Sequence, residues 1–190
     1  MLIPDHQRLG PVGDGWKVAL TTLMNERLAI GGGIATGFPE IKELVDSLTI
    51  ASGPAIDDPG VRSKLADWYA KSAGLKNTGA RAISALSKGE VPGPENSIGK
   101  LVAGTMMQDI AKYALDLQGL AGLVTDPEIA LSQAKIQAML MRSPAVRIEG
   151  GTDQILRNII SERVLGLPED MRADKGLPFN QIPSASSKGS

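Results

Sequence analysis

Three observations predict an all-α fold, specifically an antiparallel up-and-down four-helix bundle with an additional C-terminal helix. Only 3% of the residues are aromatic while 42% are hydrophobic, so the core must be built from Ala, Leu, Ile, Val and Met, which favours helix packing over a β-sandwich. Apolar residues recur at spacings of three and four, and no segment alternates convincingly as a strand would. Clusters of Gly and Pro cut the chain into helix-length pieces.

Residues 1–13 carry Pro4, Gly10, Pro11 and Gly13 and read as an extended lead-in. Asp14 suits the N-cap of the first long helix, whose apolar positions are Trp16, Leu20, Leu23, Met24, Ile30 and Ile34. Gly31, Gly32 and Gly33 weaken it, and it is bent or broken near Gly37 and Pro39 before running through Leu48. A turn cluster follows at 51–60. Asp58 and Pro59 then cap and start a second helix reaching Leu86, anchored by Val61, Leu65, Trp68, Tyr69, Leu75 and Ile83. After a loop with Gly89, Pro92 and Gly93, a third helix from Pro94 uses Ile98, Leu101, Val102, Met106, Ile110, Tyr113, Ala114 and Leu117, and ends around Gly119 and Gly122. Asp126 and Pro127 start a fourth, which Ser143 and Pro144 end. A fifth runs from Thr152 to Leu165, stopped by Gly166 and Pro168. The bundle therefore spans 14–168, and residues 169–190 form a tail whose end, 183–190, is expected to be disordered.

Composition excludes several functions. Twenty basic and 21 acidic residues leave a net charge of −1, so there is no basic field for nucleic acid or an acidic membrane. No run is apolar for long enough to span a bilayer. With no cysteine and one histidine, His6, thiolate sites, His-rich metal centres and a Ser–His–Asp triad all lack their parts. An iron-carboxylate bundle fails for the same reason, because it needs Glu-x-x-His pairs. Freedom from cysteine fits a reducing cytoplasm, and the first fifteen residues are no signal peptide.

The most specific segment is Arg147-Ile-Glu-Gly-Gly-Thr-Asp-Gln-Ile-Leu-Arg-Asn-Ile-Ile-Ser-Glu-Arg-Val-Leu-Gly-Leu-Pro168. Two glycines before Thr152 put bare backbone N–H groups at a helix start, which suits an anionic or developing-oxyanion partner. On the residues alone, an ordinary Gly-Gly loop capped by Thr152 is the better account, because Gly-Gly-Thr by itself is a weak signal.

From Gly150 to Pro168 this segment resembles the terminal signature of the acyl-CoA dehydrogenases. A second match lies at the other end, where Gly10-x-x-Gly13-x-Gly15-Trp16 followed by Thr22-Leu23-x-x-Glu26-Arg27 is similar to the passage from that family's β-domain into its first C-terminal helix. The resemblance implies the C-terminal helical domain of an FAD-dependent enzyme that oxidises an acyl-CoA thioester to the 2,3-enoyl-CoA, of the kind used in fatty acid or steroid side-chain degradation. A carboxylate removes the α-proton, the β-hydrogen leaves as hydride to the flavin, and a backbone N–H helps to polarise the thioester carbonyl.

In many members the base is a Glu directly before the Gly-Thr pair. That position here is Gly150, and Glu149 stands one residue early. Other members carry the base on the first C-terminal helix in a Glu-Arg-Leu motif, and this chain has Glu26-Arg27-Leu28 there. The resemblance thus makes Glu26 the candidate base and the Gly150 N–H the donor to the thioester carbonyl, with Glu149 and Gly151 bordering the substrate. Without it, Glu26 reads as a surface carboxylate at the edge of the stripe, and Arg27 as half of a structural ion pair. Thr152 and Gln154 match positions near the flavin. Gly119-x-x-Gly122 resembles a glycine-rich stretch that meets a neighbouring subunit's FAD, although a helix C-cap explains those glycines as well. Asp116 stands where the family often has Gln, Leu120 replaces a glycine, and the usual Arg-x-x-Phe-Gly motif is absent from 51–62. These departures resemble members that work as pairs of unlike subunits.

Family members are longer and place a helical domain and a β-domain ahead of this segment. The chain by itself is therefore expected to bind FAD weakly or not at all, to show no turnover, and to associate as a homo- or hetero-oligomer. A non-catalytic assembly subunit with Glu26 inert is the alternative.

Overall fold

The computed structural model describes residues 3–33, 37–90, 93–94, 96–169, 171, 173–174 and 176–182. The expected helical architecture is present: α1 (Gly15–Gly33), α2 (Phe38–Ser47), α3 (Pro59–Ser87), α4 (Asn96–Gln118), α5 (Lys135–Val146) and α6 (Asp153–Ile159). α4 is the hub, packing against α1, α2, α3, α5 and α6. Its buried face is made of small and flexible residues: Gly99, Ala103, Gly104, Met106, Met107, Ile110, Ala111 and Ala114. Small side chains let neighbouring helices approach closely, and methionine fills the irregular gaps that remain.

The first helical stretch is broken rather than bent. Gly37 adopts φ 80° and Pro39 occupies the first turn of α2. A side chain at Gly37 would collide with Met139 on α5, so the break is also a point of close helix packing. α2 buries Ile41, Leu44 and Val45. Thr49–Ile50 then pairs antiparallel with Gly53–Pro54, a ladder not foreseen in the turn cluster and too short for alternation to reveal. Asp58 caps α3 as expected, its Oδ1 accepting from the N–H groups of Gly60 at 2.9 Å and Val61 at 3.0 Å.

Several helix anchors expected from periodicity, Leu20 of α1 among them, are exposed rather than core residues. Trp16 of α1 is 74% exposed, and Ile83 of α3 is 66% exposed, as is much of Tyr69. α3 buries only Val61, Leu65 and Trp68, all near its start. There Trp68 meets Tyr113 of α4 edge-on at 5.3 Å between ring centroids and donates its indole N–H to Asp109 at 3.0 Å. Beyond that point α3 buries no described residue fully, and its inner stripe at Leu75, Gly79, Ala82 and Ala85 is only half-buried. The side chains of Met24, Arg27 and Ile30, and residue Ile34, lie outside the described residues.

The fourth helix is shifted from the predicted register. Asp126 caps a turn, its Oδ1 accepting from the Glu128 N–H at 3.0 Å, but α5 itself begins only at Lys135. Ser132, Gln133 and Ala134 intervene in left-handed conformation, with φ of 50°, 54° and 56°, which no helix can continue through. Pro144 does not end α5 but lies within it. Its missing N–H leaves the Leu140 carbonyl without a donor, and the Ser143 hydroxyl supplies one at 2.8 Å, so the proline is tolerated in the last turn. α6 is followed by a wider π-helical turn at Ile160–Val164, and Gly166 ends it with φ 67°. In the tail, Phe179–Gln181 forms a 3₁₀ turn, while 183–190, expected to be disordered, falls outside the described residues.

Candidate functional site at the Gly150–Gly151 turn

α5 and α6 are joined by a tight turn whose centre is Gly150-Gly151. Gly150 has φ 63° and Gly151 φ 112°, and the second value lies where an L side chain is strained. Thr152 caps α6, its hydroxyl accepting from the Ile155 N–H at 3.3 Å. Gly150 is buried and Gly151 half-buried.

Four polar side chains that the sequence did not single out brace this turn. Lys100 of α4 has no exposed surface, and its ammonium donates to the Gly151 carbonyl at 2.6 Å. Arg147, at the end of α5, donates its Nε to Asp153 Oδ2 at 2.6 Å and Nη1 to Gln108 Oε1 of α4, also at 2.6 Å. Asp153 is itself buried, in the first turn of α6. Three helices are thereby tied together at one end of the bundle by charge-assisted hydrogen bonds, the strong kind. The second oxygen of Asp153, Oδ1, finds no partner among the described residues.

One signal for Lys100 was readable. It stands three, seven and eleven residues before Ala103, Met107 and Ala111, on the buried stripe of α4, and a cation on an apolar face needs a partner. The Arg147–Asp153–Gln108 set left no such signal, because it is assembled only when α4, α5 and α6 pack.

The predicted site residues lie on α1, on the 3₁₀ turn that follows α4, in the α5–α6 turn and on α6. Glu149 is engaged elsewhere, both carboxylate oxygens accepting from Arg142 at 2.6 and 2.7 Å. Gln154 is exposed on α6. Glu26 is half-buried on α1, the helix that packs on α4. Gly119 is exposed with φ 56°, and open space lies where its side chain would be. Gly122 is buried, and a Cβ there would stand 2.7 Å from the Leu115 carbonyl oxygen. Its own carbonyl accepts from Gln137 at 3.2 Å. Gly122 therefore serves close packing at the end of α4. A cleft of about 470 Å³ opens between α3 and α4, lined by Lys71, Val102, Thr105, Met106, Gln108, Asp109 and Lys112. Neither Glu26 nor Gly150 lines it. Among the described residues no group of three or more His, Cys, Asp or Glu could hold a metal ion, and no helix is long and apolar enough to cross a membrane.

The glycine turn, its threonine cap and the helical bundle behind it find their counterpart in a known family. Residues 13–165 match the acyl-CoA dehydrogenase C-terminal domain. The chain belongs to the acyl-CoA dehydrogenase family. It is 33% identical over 172 residues to the acyl-CoA dehydrogenase FadE34 of Mycobacterium tuberculosis, which covers 88% of this chain and 22% of that protein. It is 34% identical over 170 residues to the acyl-CoA dehydrogenase IpdE1 of Mycolicibacterium smegmatis, covering 86% and 40%. The chain thus spans less than half the length of these relatives. Solved structures agree on the fold. The ChsE4–ChsE5 complex of M. tuberculosis superposes with a TM-score of 0.71 at 24% identity, over 89% of this chain and 44% of that one. Butyryl-CoA dehydrogenase of Megasphaera elsdenii gives 0.71 at 20% identity, over 86% and 42%. As an acyl-CoA dehydrogenase C-terminal domain, the chain places its signature glycines at the α5–α6 junction, braced from α4.

Proposed function

We propose that this domain contributes to the FAD-dependent α,β-dehydrogenation of an acyl-CoA thioester, with Glu26 as the base and the Gly150 N–H as a hydrogen-bond donor to the thioester carbonyl. The observation that supports this most is the Gly150-Gly151 turn itself, where positive φ values at both glycines are flanked by a buried ammonium and a half-buried ion pair whose carboxylate is buried. Such a fixed turn suits a backbone donor, because preorganised dipoles stabilise developing charge without rearranging at the moment of reaction.

In this reading a proton passes from the α-carbon to a Glu26 carboxylate oxygen, and the β-hydrogen leaves with its electron pair as the C=C bond forms. Bound FAD supplies the two-electron acceptor. Gln154 and Thr152 at the head of α6, together with the open backbone at Gly119, are the residues that would border it. Gln154 and Gly119 fit because both are exposed, whereas Gly122 is filled by packing and does not. Glu149 is the weaker candidate for a substrate contact, since Arg142 already takes both of its oxygens, and Gly151 follows the turn. Substrates are acyl-CoA esters of fatty acid or steroid side-chain type, the setting is cytoplasmic, and the working assembly is a homo- or hetero-oligomer of acyl-CoA dehydrogenase subunits.

A second reading, a non-catalytic assembly domain, is favoured by one feature, the exposed apolar residues Trp16 and Leu20 on α1 and Tyr69, Ile83 and Leu86 on α3. Stopped-flow reduction of the flavin-loaded protein that carries this domain separates the two. Glu26→Gln is expected to slow flavin bleaching by acyl-CoA by about 10²- to 10⁴-fold, and Glu149→Gln to leave it nearly unchanged. An unaltered rate in Glu26→Gln would move the domain to the assembly reading.

A further inference from the structure

Lys100 is unusual in this bundle. It is the one charged residue other than Asp153 that is buried among the described side chains, and it sits on the inner face of α4 between Ser97 and Ala103. Burying an ammonium is costly unless strong hydrogen bonds replace its water. Here it reaches the Gly151 carbonyl at 2.6 Å, across 51 residues of sequence. The same turn is gripped from its other side by Arg147 and Asp153 at 2.6 Å. A plain structural turn between two helices needs neither device, since Thr152 already caps α6 and Gly150 and Gly151 already supply the φ values.

We propose that Lys100 is a positioning residue, whose ammonium fixes the Gly151 carbonyl at the end of the turn and so limits the backbone freedom of the two-glycine segment through which the Gly150 N–H, two peptide groups upstream, is aimed at the thioester carbonyl. The role rests on the assignment of Gly150 as that donor, but its structural half can be tested without it. The Gly151 carbonyl belongs to the peptide group shared with Thr152; unanchored, the two-glycine segment that carries the Gly150 N–H is free to rotate at that end. An anchored carbonyl removes that freedom before substrate arrives. Arg147–Asp153 acts on the same turn from the α6 side, so the two grips are complementary rather than redundant.

The 190-residue chain gives the first test. In the wild type, the Lys100 ammonium should persist as a slowly exchanging ¹⁵N signal with a cross-hydrogen-bond coupling to the Gly151 carbonyl carbon; a rapidly exchanging, uncoupled ammonium overturns the proposal. In Lys100→Met, which keeps the buried stem, amide exchange at Gly150, Gly151 and Thr152 should rise at least about tenfold while Ile110 and Ile136 stay within twofold. Equal acceleration at all five positions means that Lys100 merely stabilises the fold, and again overturns it.

The flavin-loaded protein carrying the domain gives the second. A ¹³C-labelled thioester carbonyl should show a lowered stretching frequency when bound to the wild type. In Lys100→Met part of that shift should be lost, with kcat down by about 10²-fold and KM within about twofold, as expected when a reacting group is slightly misplaced. A shift fully retained in Lys100→Met overturns the role of Lys100. No shift in the wild type contradicts Gly150 as the donor, while the ammonium signal still reports on the anchor.

Discussion

Two regions of the bundle are held by different physics. Where α4, α5 and α6 meet, buried charges and hydrogen bonds brace a glycine turn: Lys100 on Gly151, Arg147 on Asp153 and Gln108. Among the described side chains of α1 and of the outer two-thirds of α3 there is almost nothing of the kind. Trp16 and Ile83 are mostly exposed, Leu86 is 44% exposed, and the ion pair Lys71–Asp67 is an exposed i,i+4 contact. The contrast teaches that an apolar stripe and a packed stripe are different things. The first is written in the sequence of one helix, whereas the second needs a neighbour of the right length and place.

The largest effects should come from breaking the braced region. Arg147→Met leaves Asp153 buried and unpaired, and its unfolding free energy near neutral pH should fall by about 3–5 kcal/mol, read from urea melts. Ile136→Ala on α5, with no exposed surface, should cost about 2–5 kcal/mol by the same measurement. Removing the α3 cap with Asp58→Ala should cost about 1 kcal/mol. In the unbraced region, Ile83→Ser should change stability by less than about 0.5 kcal/mol yet reduce self-association in sedimentation velocity, because it removes apolar surface available to a partner. A large loss of stability in Ile83→Ser would mean that the outer part of α3 is packed after all.

The smallest effect is alkaline. The Tyr113 phenol is raised above its ordinary value of 10.0, first by burial and then by the charge of Asp58. A raised folded-state value means that its stabilising contribution is complete below pH 10 and is lost as pH climbs through the folded value. Tyr113→Phe should therefore flatten the fall in stability above pH 10, with little change at pH 7.

Much of this was legible in advance. Gly/Pro clusters and three-four spacing gave the helices, and Asp58-Pro59 and Thr152 gave their caps, because those signals are local. The start of α5 was not legible. Asp126-Pro127 carries a true cap signal, but it serves a turn, and nothing in Ser132-Gln133-Ala134 announces three left-handed residues. Pro144 misled in the opposite direction, since only the Ser143 hydroxyl explains why the helix continues past it. At the candidate site, the glycine turn and Thr152 came from motif, whereas Lys100, Arg147, Asp153 and Gln108 act together only through contacts between helices. The exposure of Trp16 and Ile83 escaped for the same reason, because periodicity tells which face is apolar and not whether anything covers it.

Native-state hydrogen exchange on the 190-residue chain tests the central contrast most directly. Amides of α4 and of the first turn of α6 should exchange only through global unfolding, with one common free energy. Those of α3 beyond Leu75 should open locally at much lower cost. The opposite order, with the glycine-turn end opening first and the outer part of α3 protected to the global limit, would contradict the account.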